Sequence, residues 1–591
     1  MTTGEAMHVL EGAQRLFAEG ELEACDGLLA RVCPADPAYP YALYLRAMMM
    51  AAAGSHHQSC ALLKEACRLC PQNRDMQAAL ARAHAELGHA EEALAILTSL
   101  VQAGETGAAI ALDRGALARR LGKFKLAMEC FDAALSLDPD SAAAWSSKAN
   151  LLHEHGYYAQ ALRCHDAAVT AQPENVQAIC NRTATLNRLG RSQEALSESR
   201  RALAIAPDDP GAWTACGCTL VHMDSPEEAM RCFEQALRID PGHRPAFCNR
   251  VSTLAALGEH QQALALFEVA VNMAQACPSE LAALRAKQGM LQLMLGDWKG
   301  WQGYEHRLVH DTLPALHDPH APRWTGTEAL AGKTILLWSE QGFGDTIQFC
   351  RYAACAAERG ATVLLEVPAS LLSLCRQLPV AGVHARGEPL PAHDFQISMM
   401  SMPLALGADT AIPHPRGYLR APAEKVGKWA ALLPPRGERA RIGIVCSGSP
   451  HHNGNATRSM PLEAFAPLTA QAELIVLQPE LTPEDSGALQ NMPGILRAEV
   501  DINDFADVAG LIANTDLVLS VDTAIAHLTG ALSHPLWLLL PWQAEWRWMI
   551  GRNDTPWYDS ARLYRQSSRG CWNSVIAAVA RAMADEFPLK Q

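Results

Sequence analysis

The chain has 591 residues, of which 49% are hydrophobic and only 19% charged, and this composition excludes an intrinsically disordered protein. Its 49 basic and 63 acidic residues give a formal net charge of −14, which argues against a broad surface for nucleic acid or anionic lipid but allows a local anion site. The N-terminus shows no basic and apolar leader, and no apolar run approaches the roughly 20 residues of a membrane span. We therefore expect a cytoplasmic protein with reduced cysteines that neither binds nucleic acid nor inserts into a membrane.

The first half of the sequence repeats every 34 residues. A turn residue recurs at this spacing, each time at the end of an apolar helical pattern: Gly20, Gly54, Gly88, Gly122, Gly156, Gly190, Asp224 and Gly258. Ala follows most turns after five positions and Pro after 17, as Ala161 and Pro173 follow Gly156. Gly ends the first helix of each repeat, the small Ala lets the two helices approach closely, and Pro stops the second helix.

This pattern resembles the tetratricopeptide repeat (TPR), with about eight repeats over residues 1–275. The resemblance implies an all-α superhelical solenoid whose concave face binds a peptide or protein. Asn181 and Asn249 share one phase of the first helix, which faces the groove in this family, where Asn side chains can hold an extended peptide. The alternative for both is a solvated surface position. A final helical stretch of longer spacing, within residues 276–325, is expected to cap the solenoid and to lead into the next domain.

The sequence changes class after about residue 321. Nine of the 13 Trp lie beyond this point, and short apolar runs alternate with helical patterns, which indicates an α/β fold. The predicted strands are Thr334–Ser339, Thr362–Val367, Phe395–Met399, Arg441–Cys446, Glu473–Leu477, Leu517–Val521 and Pro535–Leu540. A Pro-rich segment separates them into two sets, which predicts two Rossmann-like halves at residues 326–425 and 426–591. Ligands bind beyond the carboxyl ends of strands in such sheets, so the loops there are the candidate sites.

The first of these loops, residues 338–349, runs from a strand through a Gly-containing turn into a helix. Gly344 and its neighbour Gly342 would let a substrate approach the backbone. The Asp345 carboxylate could take a proton from an acceptor hydroxyl. Asp345 could equally be the N-cap of the helix.

Two further loops contain candidate anion ligands. The loop at residues 446–462 includes Ser447 and Arg458, and the guanidinium suits a phosphate, although a solvated loop is the alternative. In the loop at residues 520–528, Asp522 and Thr523 stand at a helix N-terminus that could receive a diphosphate, with His527 one turn further on the same face. The alternative here is that Asp522 and Thr523 cap the helix while His527 packs inside.

The three loops carry a second resemblance. Their motifs are GFGDTIQF at 342–349, SGSP at 447–450 leading to RSMPL at 458–462, and DTAIAHL at 522–528. These resemble the family-9, heptosyltransferase-like glycosyltransferases. The closing segments WRW at 546–548, DTPWY at 554–558 and RLYRQ at 562–566 resemble the branch fused to TPR repeats, which includes bacterial enzymes that glycosylate flagellin with nonulosonic acids.

The resemblance implies a GT-B fold, a nucleotide-sugar donor bound mainly by the C-terminal half, and inversion without a metal. By position, Asp345 resembles the general base, and the donor-binding groups are Gly344, Ser447, Arg458, Asp522, Thr523 and His527. The absence of an Asp-x-Asp pair from the three loops agrees with a metal-free site. No cofactor is implied besides the donor, for which a CMP-linked sugar is one candidate. Ser449 and Gly454 stand where this branch more often has Asn and Asp, which leaves the donor preference open.

The function implied is protein O-glycosylation, in which a sugar is transferred to Ser or Thr of an acceptor protein held by the TPR groove. The acceptor suggested is flagellin, and the sugar a nonulosonic acid such as pseudaminic acid. Two alternatives stay open: a non-catalytic TPR scaffold or chaperone with a degenerate glycosyltransferase domain, and a lipopolysaccharide-core glycosyltransferase. The sequence does not determine the donor, the acceptor, the modified residues or the oligomeric state.

Overall fold

A computed structural model describes residues 3–275, 278–310, 318, 320–340, 342–407, 412–414, 416–448, 455–498 and 501–588. The chain forms two compact units, an N-terminal unit, Met1–Arg250, and a C-terminal unit, Val251–Gln591. This division falls inside the eighth repeat, before the predicted solenoid boundary at residue 275. No helix of the described chain is both long enough and apolar enough to cross a bilayer.

Helix pairs fill the N-terminal unit, and the last pair extends into the C-terminal unit. The helices are α1 Thr3–Glu19, α2 Leu22–Leu29, α3 Tyr39–Ala52, α4 His56–Leu69, α5 Arg74–Glu86, α6 Ala90–Gln102, α7 Ala108–Arg120, α8 Phe124–Leu137, α9 Ala142–Glu154, α10 Tyr158–Ala171, α11 Val176–Arg188, α12 Ser192–Ile205, α13 Pro210–His222, α14 Pro226–Ile239, α15 Arg244–Ala256 and α16 His260–Met273. Each pair is one predicted repeat.

The turns inside these pairs have the backbone conformation that the 34-residue spacing predicts. The seven turn glycines have φ between +68° and +90°, and Asp224, which replaces glycine in the seventh repeat, has φ +56°. Glycine adopts this left-handed region without steric cost, and Asp tolerates it better than most residues. The predicted small residues between paired helices are fully buried: Ala93, Ala127, Ala161, Ala195, Ala229 and Ala263. The helical repeat prediction is therefore confirmed.

The C-terminal unit contains two parallel sheets. The strands are β1 Thr334–Trp338, β2 Thr362–Val367, β3 Gly382–Ala385, β4 Phe395–Ser398, β5 Arg441–Val445, β6 Glu473–Val476, β7 Ile495–Arg497, β8 Leu517–Val521, β9 Leu536–Leu540 and β10 Ala561–Arg565. The first sheet has the order β3-β2-β1-β4 and the second β10-β9-β8-β5-β6-β7. The seven predicted strands are confirmed to within about a residue at each end, whereas β3, β7 and β10 were not predicted.

Helices follow most strands of both sheets. Between α16 and β1 lie α17 Pro278–Met294, α18 Gly300–Tyr304 and α19 Arg307–His310. The others are α20 Phe343–Phe349, α21 Tyr352–Glu358, α22 Leu372–Cys375, α23 Met402–Ala405, α24 Ala423–Leu432, α25 Asn455–Arg458, α26 Pro483–Gln490, α27 Phe505–Ile512, α28 Ala524–Ala531 and α29 Trp572–Glu586. Short 3-10 turns lie at Ala369–Leu371, Met399–Ser401, Leu462–Ala470 and Trp546–Trp548.

An aromatic cluster packs the segment expected to cap the solenoid against the α/β region. Trp301, in α18, lies edge-on to Phe349, Trp546 and Trp557, with ring centroids 6.1, 5.3 and 6.4 Å away. Phe349 follows β1 in the first sheet, whereas Trp546 and Trp557 follow β9 in the second. The cluster therefore joins the two sheets, and such edge-to-face pairs add to the energy of burial itself.

Candidate functional site

The first and third candidate loops meet where α20 packs on α28. A Cβ atom at Gly344 would lie 2.9 Å from Cδ2 of His527 and 3.5 Å from Cα of Ala524. The missing side chain therefore allows the two helices to approach, and the observed contact of Gly344 is with His527. Because α20 follows β1 and α28 follows β8, the carboxyl ends of the two sheets meet here.

Asp345 lies at the start of α20 and makes two hydrogen bonds to residues that the structure describes. Its Oδ2 accepts from the backbone N–H of Gly342 at 3.0 Å, and its Oδ1 accepts from Nη2 of Arg547 at 2.5 Å. The N-cap residue is Gly342, and Asp345 satisfies the helix start from the third helical position. A carboxylate has about four lone-pair sites, so these two bonds leave capacity to accept a proton.

Arg547 is the centre of the site, although the sequence analysis assigned it no role. Its Nε donates to Oε1 of Gln348 at 2.7 Å, its Nη1 pairs with Glu545 and its Nη2 with Asp345. The side chain is only 8% exposed. Despite this burial, the carboxylates of Glu545 and Asp345 raise the pKa of Arg547 above its usual range. The guanidinium therefore remains a fixed charge that joins α20 to the segment after β9.

Two further carboxyl groups lie in the field of this guanidinium. Burial raises the pKa of Glu545 to about 7, against the attraction of Arg547. Burial also raises the pKa of Asp522, and Arg458 and Arg547 oppose the rise. The raised pKa of Glu545 is therefore close to neutral pH.

His527 packs inside the unit. Its Nδ1 lies 2.9 Å from the Tyr558 hydroxyl, and its ring stacks on Trp548 with the centroids 5.2 Å apart. Burial, reinforced by the nearby arginines, lowers the pKa of His527 well below its usual range, so the imidazole is neutral. Thr523 is the N-cap residue of α28 but makes no side-chain capping bond, and its hydroxyl lies 3.2 Å from that of Ser520.

In the second candidate loop, Ser447 and Arg458 have different surroundings. The Ser447 hydroxyl accepts from Nε2 of Gln478 at 3.0 Å, which holds the turn after β5. The Arg458 guanidinium lies against Gly448, and its Nε has no hydrogen-bond partner among the residues that the structure describes. The positive charge of Arg458 acts to lower the pKa of both Asp522 and His527. Ser449 and Gly454 lie outside the described residues.

Asn181 and Asn249, the candidate peptide ligands, are half-buried in the repeats. Oδ1 of Asn181 accepts from Nε2 of Gln177 at 2.9 Å, and Nδ2 of Asn249 donates to Sγ of Cys218 at 3.3 Å. A bound peptide would have to share or replace these bonds.

Sequence reasoning missed the residues that hold Asp345 and His527 in place. Arg547 and Trp548 belong to the WRW segment, and Tyr558 to DTPWY, segments noted only for their resemblance. No sequence pattern indicated a role for Glu545. The contact between Arg547 and Asp345 spans 202 residues of sequence, and no local pattern predicts such a contact.

The tetratricopeptide repeat family matches this chain over residues 78–142, 112–176 and 210–243. Protein FlbA of Caulobacter vibrioides is 26% identical over 347 residues, which are 52% of this chain and 56% of that protein. The chain therefore matches little more than half the length of this relative. These matches agree with the helix pairs seen in the structure and show that the N-terminal part contains tetratricopeptide repeats.

Solved repeat proteins also align with the chain. A tetratricopeptide repeat protein from Parabacteroides merdae aligns with 40% of this chain and 93% of its own, at 19% identity and a TM-score of 0.37. YrrB, described as a TPR protein with an unusual peptide-binding site, aligns with 31% of this chain and 93% of its own, at 24% identity and a TM-score of 0.24.

Proposed function

We propose that this chain is a protein O-glycosyltransferase, which transfers a sugar from a nucleotide-sugar donor to a Ser or Thr hydroxyl of an acceptor protein. The observation that carries the proposal is the position of Asp345. Its carboxylate follows a strand of one parallel sheet, next to the glycine that contacts α28, which follows a strand of the other. Ligands bind at such strand ends. The proposal includes a GT-B arrangement, with the acceptor on the first sheet and the donor on the second.

Asp345 is the proposed base. As it removes the acceptor hydroxyl proton, the oxygen forms a bond to the anomeric carbon, and the bond from that carbon to the donor phosphate breaks. The configuration at the carbon inverts, and Asp345 later gives the proton to water. The hydrogen bond from Arg547 at 2.5 Å supports this role because it fixes the direction of the carboxylate.

The leaving phosphate would lie between Arg458 and the start of α28. The Nε of Arg458 has no hydrogen-bond partner among the described residues, and a guanidinium suits a phosphate. The backbone N–H groups in the first turn of a helix such as α28 have no partner within the helix. Together they could stabilise the charge that grows on the phosphate. His527 is neutral and would contribute an N–H bond to the donor, with Tyr558 fixing its ring.

The repeats are the proposed acceptor-binding element. Stacked helical repeats form extended binding surfaces, and holding the acceptor there raises its effective concentration at the reacting site. Asn181 and Asn249 are the candidate peptide ligands. Flagellin as the acceptor and a CMP-linked nonulosonic acid as the donor are the most specific form of the proposal.

The test is transfer to an intact acceptor. The full-length chain is incubated with flagellin and CMP-pseudaminic acid, and the acceptor mass is followed by mass spectrometry. We expect the acceptor to gain whole sugar units. Asp345→Asn should lower the rate by about 10²- to 10⁴-fold while nucleotide affinity is kept. The matched control is Asp394→Asn, since Asp394 is an exposed carboxylate that binds Lys333 and the first residue of β1.

Each outcome decides between specific alternatives. Full transfer by Asp345→Asn would remove Asp345 as the base. No transfer to flagellin, together with binding of the nucleotide, would exclude this acceptor and donor pair. No transfer and no nucleotide binding would favour the non-catalytic TPR scaffold.

A further inference from the structure

The carboxyl edge of the first sheet carries charged side chains that the proposed chemistry does not use. The four strands are parallel, with β2 between β1 and β3, so the residues after them meet at one edge. Ser339 and Glu340 follow β1, and Arg386 follows β3. All three lie at the edge where the loop with Asp345 begins.

The Arg386 side chain crosses the end of β2 to reach the residue after β1. Its Nη2 donates to the carbonyl oxygen of Ser339 at 2.5 Å and to the Ser339 hydroxyl at 2.9 Å. Neighbouring strands are about 4.8 Å apart, so the side chain and its hydrogen bonds together span roughly 10 Å along the edge. The two bonds hold the guanidinium beside Ser339, in the loop that leads to Asp345.

Arg386 forms no ion pair with an Asp or Glu of the described chain. The neighbouring Glu388 carboxylate accepts instead from the backbone N–H of Ala385 at 2.9 Å. Nη2 uses both of its hydrogens on Ser339, which leaves three of the five guanidinium N–H donors for a ligand. The residue is exposed.

Glu340, at the same edge, has an ion-pair partner within the protein. Its carboxylate is fully buried, and Arg307 binds it through Nε at 3.0 Å and through Nη2 at 2.5 Å. The Ser398 hydroxyl is a further partner. This pair is balanced within the protein, so Glu340 does not neutralise Arg386.

The distance from Arg386 to Asp345 is short enough for one bound polypeptide. Ser339, which binds Arg386, and Gly342, which binds Asp345, are three residues apart, a span of at most about 11 Å. The guanidinium therefore lies within roughly 15 Å of the Asp345 carboxylate, the length of four or five extended residues.

We propose that Arg386 binds a carboxylate of the acceptor polypeptide, within a few residues of the hydroxyl that is modified. The inference rests on the proposed function, because only a glycosyltransferase has an acceptor. The first sheet carries Asp345, whereas the candidate phosphate ligands belong to the second, so the edge with Arg386 is on the acceptor side. An Asp or Glu near the modified Ser or Thr would then be a specificity determinant.

The test measures binding and needs no turnover. Short serine peptides, each with one Asp at a successive position on either side of the serine, are titrated against the full-length protein by ligand-observed NMR, and each has an Asn twin. At the best position we expect the Asp peptide to bind about threefold tighter than its twin, as for a partly exposed ion pair. Arg386→Gln should remove this preference, and Arg386→Lys should retain part of it. Arg359→Gln, at the amino edge of the same sheet, is the matched control and should leave it unchanged.

A second titration tests whether the carboxylate that Arg386 binds belongs to the sugar donor instead of the acceptor. The proposed donor, CMP-pseudaminic acid, itself carries a carboxylate, whereas CMP has none, and we expect Arg386→Gln to change neither affinity. A loss of affinity for CMP-pseudaminic acid, but not for CMP, in Arg386→Gln would overturn the acceptor assignment in favour of the donor. No preference among the peptides, or one that survives Arg386→Gln, would overturn the proposal itself. Because binding is measured, these results are distinct from a failure of sugar transfer.

Discussion

At the scale of single residues, Arg547 controls the charge balance of the site. It binds Asp345 and Glu545 from a position that is almost fully buried. Removing one partner of a buried ion pair is costly because the remaining charge stays unsolvated. The same contact that directs Asp345 therefore also stabilises the C-terminal unit.

We expect Arg547→Met to lower the free energy of unfolding by about 3 kcal/mol, since it leaves two carboxylates without their partner. Urea unfolding followed by circular dichroism measures the change. Arg562→Met is the control, because its pair with Glu586 is about half exposed and should contribute less than about 1 kcal/mol. Equal losses in the two variants would contradict a structural role for the buried pair.

Glu545 should make stability depend on pH. Its pKa is raised to about 7 in the folded chain from an ordinary value of 4.5, so the folded state holds a proton that the unfolded state releases. Stability from this group is present below about pH 4.5 and is lost as the pH rises through about 7. The lowered pKa of His527 has the opposite effect on stability. The protein loses stability from this group as the pH falls below the pKa of an unfolded histidine.

The Glu545 contribution is isolated by comparing wild type with Glu545→Gln. We expect the wild type to lose stability relative to the variant between pH 5 and pH 7, as measured by urea unfolding at each pH. Parallel stability profiles over this range would show that Glu545 has an ordinary pKa.

At the scale of secondary structure elements, the contact of α20 with α28 assembles the site. The helices can touch because Gly344 has no side chain. Moving them apart would shift Asp345 relative to Arg547, since Asp345 is part of α20 and Arg547 follows β9.

Gly344→Ala should therefore destabilise the C-terminal unit by about 1–3 kcal/mol, the usual range for an overpacked contact. The added methyl would meet the His527 ring at 2.9 Å. Gly342→Ala is the matched control, because its nearest neighbour would be the Asp345 carboxylate at 3.6 Å. Thermal unfolding compares the two, and a Gly344→Ala protein as stable as Gly342→Ala would contradict the close contact.

The same elements show what the sequence predicts and what it does not. Strands β1, β2 and β8 are mostly apolar and buried nearly throughout, and their pattern predicts them directly. Strands β3 and β7 have four and three residues with partly exposed positions, and β10 contains two arginines, so their pattern is weak. Pairing with a neighbouring strand forms them, and this pairing is a tertiary effect.

At the scale of the whole molecule, the chain combines a repeat region with an α/β region, and the sequence predicts this organisation well. A 34-residue period is visible because every repeat obeys the same local rules, as the left-handed turn glycines show. The candidate site lacks such a signal. The loop sequence predicts Asp345 as a candidate, whereas Arg547 and Arg386 make contacts across the fold that no local pattern predicts.

Isothermal titration of the full-length protein with CMP, UDP, GDP and ADP tests for the nucleotide-sugar site. We predict that one of these nucleotides binds, and that Arg458→Gln weakens this binding about tenfold or more, as expected for a lost charge-assisted phosphate contact. Asp345→Asn should leave the affinity unchanged. Absence of binding by all four nucleotides, or equal affinity in Arg458→Gln, would contradict a nucleotide-sugar site at the ends of the two sheets.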